Sequence, residues 1–148
     1  MHLDHVVVFV ADAERSLAFY GDALGLAMIM DREFDGPWPE LFGGVTSPRL
    51  RAMILGDPEH PDRGQVELLT FAEPVDAGPG VQPVATGTVM LSFMVDLADV
   101  LPRLVAAGGT DVRRAALKNG VDVVTLRDPD GTLVELLNAS RSAGRETE

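Results

Sequence analysis

The chain lacks cysteine altogether, which excludes disulfide bonds, thiolate metal sites and cysteine nucleophiles. Basic residues are few: 12 Lys and Arg stand against 23 Asp and Glu, so the net charge is −11. Such an acidic protein repels nucleic-acid phosphates, and we expect no nucleic-acid partner. No apolar run reaches the roughly 18 residues of a membrane helix, and the N-terminus lacks the basic start of a signal peptide. These absences predict a cytoplasmic protein with no membrane partner.

The 148 residues fit one domain, and the pattern of elements divides that domain into two halves. The first half reads as a valine-rich strand, a helix that Asp12 caps and Gly25 ends, and three further strands. These strands are predicted at 3–10, 26–30, 49–55 and 65–71. A linker rich in glycine and proline follows at about 73–87.

Residues 31–48 are predicted as a long irregular loop, because glycine and proline interrupt the strand pattern at 35–39. Trp38 and Phe42 lie in this loop. Aromatic residues on a long loop often cover a pocket, although they can also simply pack the loop down. Both interpretations stay open at this point.

The second half repeats the plan in fewer residues. A strand at 89–95 leads into a helix capped by Asp96 or Asp99. Strands at 112–117, 121–126 and 132–138 follow, and Asn119-Gly120 is typical of a two-residue hairpin turn between the first two of them. Residues 139–148 are small and polar, which predicts a flexible tail.

Two local matches support an internal duplication. Val66-Glu67-Leu68-Leu69 recurs as Val134-Glu135-Leu136-Leu137, at an offset of 68 residues. The junction Val10-Ala11-Asp12 resembles Val95-Asp96-Leu97, at an offset of 85 residues. Because both matches fall within the same order of elements, they indicate a duplicated unit whose second copy is shorter.

Two stretches carry a resemblance to a known family. Leu3-Asp4-His5-Val6, with Leu24-Gly25-Leu26 after the helix, looks like the opening of a glyoxalase-type module. Arg127-Asp128-Pro129-Asp130-Gly131, followed by Leu133-Val134-Glu135-Leu136, looks like the close of a second one. Over residues 3–138 the chain resembles the glyoxalase, bleomycin-resistance and dioxygenase superfamily, with its vicinal oxygen chelate fold.

The resemblance implies an α+β fold in which two tandem βαβββ modules curl their mixed sheets into a half-open cup. One domain at 1–140 would contain module one at about 3–72 and module two at about 88–138. A small-molecule substrate or ligand is implied as well, and so is a homodimer.

In metal-using members of the family, four side chains from the first and last strands of each module line the cup. Carried onto this chain, these positions are His5, Glu67, Met90 and Glu135. Relatives commonly have histidine or glutamine where this chain has Met90, and a thioether suits soft ions rather than Zn, Ni, Co, Mn or Fe dications. The resemblance therefore implies a divalent metal ion held by His5, Glu67 and Glu135, with open positions for water and substrate.

Three functions remain open on this resemblance. The leading hypothesis is a metal-dependent lyase or isomerase that acts on a small oxygenated carbonyl or thioester substrate through an enediolate-like intermediate. Glu67 or Glu135 would move the proton. The alternatives are a metal-free protein that sequesters a small ligand and an enzyme that uses a carboxylate base without metal. An extradiol dioxygenase is disfavoured, because it needs two histidines and only His5 lies at a matching position.

Five residues are expected to line the substrate pocket. They are Met90 and Ser92, which share strand parity, Trp38 and Phe42 of the long loop, and Arg51. Met90 and Ser92 can equally be core residues. Arg51, or Arg49 in its place, would hold a substrate carboxylate if it pointed into the cup, whereas exposure to solvent is its alternative.

Overall fold

The chain folds into two compact units, residues 1–79 and 80–148, each with one four-stranded mixed sheet. The computed structural model describes residues 1, 3–60, 62–73, 75, 81–117 and 121–139. The predicted Asn119-Gly120 turn, residues 140–148 of the tail and part of the linker lie outside these described residues. Among them, no helix is both long and apolar enough to cross a membrane.

The first unit follows the order βαβββ with one short additional helix. Asp12 caps its first helix by accepting a hydrogen bond from the backbone N–H of Arg15 (2.9 Å). Strand β1 is parallel to β4, and β4, β3 and β2 then pair antiparallel. The elements are β1 (His5–Phe9), α1 (Ala13–Leu17) with its π-helical continuation (Ala18–Ala23), β2 (Ala27–Asp35), α2 (Trp38–Phe42), β3 (Arg49–Gly56) and β4 (Gln65–Phe71).

The second unit repeats this topology, since its strand order β5-β8-β7-β6 matches the order β1-β4-β3-β2 of the first. Asp96 caps its helix, as predicted. The elements are β5 (Met90–Val95), α3 (Leu97–Ala106), β6 (Thr110–Ala116), β7 (Asp122–Arg127) and β8 (Leu133–Asn138). The predicted pair of βαβββ units is therefore confirmed.

The register of the parallel strands reproduces both sequence offsets. His5 lies opposite Gln65 in the first sheet, and Met90 lies opposite Leu133 in the second. These two pairs are separated by 85 residues on one strand and 68 on the other. The position of Met90 in its sheet is thus the position of His5 in the first sheet.

The prediction of an irregular loop over 31–48 was wrong at two points. Strand β2 continues through Asp35, because every residue from Met30 to Asp35 has a partner on β3. Residues 38–42 form the short helix α2. Proline at 39 is tolerated there because it lies in the first turn, where the backbone N–H has no partner within the helix.

Each sheet has one face covered by the helix of its own unit. In the first unit Met53 and Leu68 are fully buried on that face, together with Phe19 and Tyr20 of the helix. In the second unit the buried residues are Leu91, Val124, Leu126, Val134 and Leu136 of the strands and Val100, Leu101 and Leu104 of α3. Since successive strand residues alternate between faces, the remaining positions define a second face on each sheet.

Arg51 of β3 connects three elements of the first unit. Its guanidinium donates two hydrogen bonds to the carboxylate of Asp31 on β2 (2.8 and 2.7 Å) and one to Glu14 of α1 (2.8 Å). The hydrogen bond from Arg51 holds the pKa of Asp31 below its ordinary value of 3.8. A carboxyl whose pKa is lowered by folding stabilises the folded state above its unfolded pKa, and that contribution is lost as the pH falls through the folded pKa.

We expect Arg51→Gln to lower the free energy of unfolding at neutral pH by up to about 1 kcal/mol, the range of partly exposed ion pairs. The difference from the unchanged protein should shrink as the pH falls below about 4, because Asp31 then protonates in both states. Urea unfolding at pH 7 and at pH 3 measures this. Arg113→Gln is the matched control, since Arg113 pairs with its near neighbour Asp111 and is largely exposed. An equal loss in both variants would contradict the role assigned to Arg51.

Candidate functional site

The face of the first sheet opposite α1 is named the His5 face. It is formed by alternate residues of all four strands, as the pairing register fixes. Its members are His5, Val7 and Phe9 of β1, Gln65, Glu67, Leu69 and Phe71 of β4, Leu50, Ala52 and Ile54 of β3, and Met30, Arg32 and Phe34 of β2.

On this face the imidazole of His5 lies between two carboxylates. Its Nε2 is 2.8 Å from Oε2 of Glu67, and its Nδ1 is 2.8 Å from Oδ2 of Asp4. The His5 side chain is 28% exposed and that of Glu67 is 14% exposed, so the pair is accessible without being fully solvated. A carboxylate on one ring nitrogen fixes the orientation of the other, which is the usual support of a histidine that binds metal or transfers protons.

The chemistry of this pair fits one part of a metal site. An imidazole nitrogen and a carboxylate oxygen converge on the same point, and both are donors that zinc-like dications accept. Within the described part of the chain, however, no group of three His, Asp or Glu side chains that could hold a metal ion is assembled. The first unit therefore supplies two donors, His5 and Glu67, and the third predicted ligand, Glu135, belongs to the second unit.

The corresponding face of the second sheet is named the Glu135 face and carries Met90, Ser92, Met94 and Glu135. Ser92 lies opposite Glu135 in the register, and its hydroxyl donates a hydrogen bond of 2.6 Å to Oε2. Met90 is 41% exposed and Met94 is 63% exposed, so neither is a core residue. The structure brings Ser92 and Glu135 together and places Met90 on the same face.

Four aromatic rings form a cluster on the His5 face. Phe42 of α2 contacts Phe9 edge to face (5.4 Å between ring centres), stacks with Trp38 (5.9 Å) and meets Phe71 edge to face (6.1 Å). Phe9 and Phe71 stack in turn (6.0 Å). The predicted pocket residues Trp38 and Phe42 are thus placed on the face that carries His5 and Glu67.

The indole of Trp38 is held by contacts on several sides. It packs on the buried residues Leu50, Ala52 and Leu69, and its Nε1 donates a hydrogen bond to the carbonyl of Phe34 (3.4 Å). Gly36 lies directly under the ring, since a Cβ at this position would come within 2.7 Å of the indole carbons. The aromatic cluster is therefore built into the fold of the first unit.

Sequence reasoning missed Phe9, Phe71 and Asp4 as members of the site. Strand parity was a usable signal for the first two, because Phe9 follows His5 by four residues and Phe71 follows Glu67 by four. Arg51 is not brought together with His5 and Glu67. It alternates with Leu50 and Ala52 of the His5 face, and its ion pairs lie on the side of α1.

Comparison with known proteins agrees with the fold. The model of the Glyoxalase/Bleomycin resistance protein/Dioxygenase superfamily matches residues 2–136. A lactoylglutathione lyase-like protein of Aspergillus terreus is 33% identical, over 90% of this chain and 73% of that protein. A probable lactoylglutathione lyase of Synechocystis is 26% identical, over 95% and 97% of the two chains.

A solved structure of a glyoxalase family protein from Bacillus cereus superposes with a TM-score of 0.76 and 21% identity, covering 93% of each chain. At that identity the likeness concerns the fold alone. The family match over nearly the whole chain and the two βαβββ units confirm both the resemblance seen in the sequence and the α+β fold. The chain belongs to the Glyoxalase/Bleomycin resistance protein/Dioxygenase superfamily.

Proposed function

We propose that the protein is a glyoxalase-type lyase or isomerase that acts on a small carbonyl compound with a neighbouring oxygen. The observation that carries this proposal is the His5–Glu67 pair, whose Nε2 and Oε2 atoms converge at 2.8 Å on an accessible sheet face. The names of the Aspergillus and Synechocystis relatives point to the same class of reaction.

In this proposal His5, Glu67 and Glu135 hold one divalent metal ion, with Glu135 supplied by the same chain or by a second copy. The ion would polarise the substrate carbonyl. Asp4 keeps the imidazole of His5 oriented through Nδ1, so that Nε2 is presented to the ion. Met90 occupies the position of a fourth ligand but contributes none, because its thioether matches the harder dications poorly.

Glu135 has a second role in the proposal, the transfer of a proton. The C–H bond beside the carbonyl breaks, its proton passes to the Glu135 carboxylate, and the electron pair moves toward the carbonyl oxygen. Return of that proton to the neighbouring carbon completes an isomerisation, with no oxidant or reductant needed. The hydroxyl of Ser92 occupies one side of the carboxylate and fixes its orientation.

Metal retention is the first test. After incubation with zinc, nickel, cobalt or manganese ions and desalting, elemental analysis of tag-free protein should find about one ion per chain. His5→Ala and Glu67→Ala should each lose it, because each removes one of only three protein ligands. His60→Ala is the control, since His60 pairs with Asp57 in a loop and has no part in the proposed site. No retained ion in the folded, unchanged protein would contradict the three-ligand site.

Proton transfer is tested separately by exchange. In D₂O, the metal-loaded protein should catalyse deuterium incorporation beside the carbonyl of an α-hydroxy ketone, followed by NMR with acetoin and with benzoin. Glu135→Gln should slow this exchange by at least about a hundredfold, the usual contribution of a positioned base. An equal rate in Glu135→Gln and the unchanged protein would remove Glu135 from the mechanism.

Met90 offers a gain-of-function test. We expect Met90→His to bind zinc at least about tenfold more tightly than the unchanged protein, because it adds a nitrogen ligand at the position equivalent to His5. Competition with a chromogenic chelator measures this change. Met94→His is the matched control, as Met94 lies on the same strand and face but is more exposed. Equal tightening in both variants would contradict the ligand position assigned to Met90.

A metal-free protein that sequesters a ligand is the second candidate, and the partly exposed aromatic cluster favours it. It predicts ligand binding with neither retained metal nor proton exchange. The homodimer and the cytoplasmic location stay predictions from the sequence and the resemblance.

A further inference from the structure

The two units differ most in the connection between their second and third strands. In the first unit, residues 36–48 join β2 to β3 and contain α2. In the second unit, residues 117–121 alone join β6 to β7, and those strands still pair antiparallel. The sheet therefore does not need α2 in order to form, so the segment that carries Trp38 and Phe42 serves another purpose.

This added segment lies on the face that bears the candidate pair. Phe9 and Phe71 each stand four residues beyond His5 and Glu67 on parallel strands, which places the cluster about 13 Å along the sheet from the pair. Val7 and Leu69 lie between the two places on the same face. A continuous apolar strip thus connects the polar pair to the aromatic rings.

The cluster keeps ring surface open to solvent. Phe9 is 52% exposed and Phe42 is 38% exposed, although both rings contact other rings. Exposed aromatic surface is unfavourable in water, and a further ring placed against it gains both apolar burial and edge-to-face contact. The geometry of the cluster therefore suits an aromatic group of a ligand.

The charge of the His5 face argues against an anionic ligand. Among the residues that define this face, Arg32 on β2 is the only arginine or lysine, whereas Glu67 is acidic. Recognition of a ligand with two carboxylates, such as a glutathione adduct, relies on several positively charged donors. Arg51, the nearest arginine on β3, is already bonded to Asp31 and Glu14 on the opposite side of the sheet.

We propose that the substrate is a neutral aryl ketone with an oxygen beside its carbonyl, and that its ring lies on Phe9 and Phe42 while its carbonyl lies at His5 and Glu67. The carbonyl end of this assignment rests on the proposed function. The ring end rests on the aromatic cluster alone, so a binding experiment tests it without turnover.

Trp38 is the only tryptophan of the chain and stacks on Phe42, so its fluorescence reports binding at the cluster. The probes are benzoin as a neutral aryl α-hydroxy ketone, acetoin as its aliphatic counterpart, and S-lactoylglutathione as an anionic thioester. Benzoin should bind at least about tenfold more tightly than either of the others, with calorimetry as a second readout. Tighter binding of S-lactoylglutathione, or equal binding of benzoin and acetoin, would overturn the proposal.

Ring contacts are tested with leucine substitutions, which keep apolar volume and remove the ring. Phe42→Leu and Phe9→Leu should each weaken benzoin binding about five- to tenfold and leave acetoin binding unchanged. Phe34→Leu is the matched control, because Phe34 is 38% exposed on the same face without a contact to the four rings of the cluster. An equal effect of Phe34→Leu on benzoin binding would also overturn the proposal.

Gly36→Ala provides a variant that retains every ring. A Cβ at residue 36 forces the Trp38 indole to shift, so it should change the fluorescence and weaken benzoin binding severalfold while circular dichroism stays the same. Unaltered benzoin binding after this shift would show that the cluster is not the binding surface. Tight benzoin binding without retained metal or proton exchange would instead support the aryl site and overturn the catalytic function.

Discussion

The parallel pairing of β1 with β4 is the constraint on which the site depends. It brings the first and last strands of the first unit side by side, so that His5 and Glu67, 62 residues apart in sequence, meet at 2.8 Å. Because strand residues alternate, the same register sends Val66 and Leu68 into the core under α1. A slip of one residue would bury the glutamate and expose the core, so packing and site geometry are fixed together.

The repetition of this pairing in the second unit explains both what the two halves share and where they differ. Ser92 and Glu135 occupy there the positions that Val7 and Glu67 occupy in the first sheet, and Met90 stands for His5. Only the carboxylate is kept in both copies. The protein thus offers an imidazole–carboxylate pair on one sheet and a hydroxyl–carboxylate pair on the other, two arrangements with different chemistry on one backbone plan.

Much of the fold could be predicted from the sequence, because strand and helix signals are local and the repeat offsets align the halves. Strand β4 was predicted at its observed bounds, and Asp12 and Asp96 cap helices as their short carboxylates favour. The extension of β2 and the helix α2 were missed, since pairing with β3 and packing on Leu50 and Leu69 outweigh the glycine and prolines of that segment. The aromatic cluster likewise depends on tertiary contacts between α2, β1 and β4.

The exposed strand β2 has a consequence for how copies of the protein meet. It ends the hydrogen-bonded order of the first sheet, and a long unpaired strand edge invites pairing with another chain. Four of its nine residues are charged, Asp31, Arg32, Glu33 and Asp35, and all four are exposed. Charges on an edge strand oppose such pairing, so the length of β2 that supports α2 does not have to make the protein prone to aggregation.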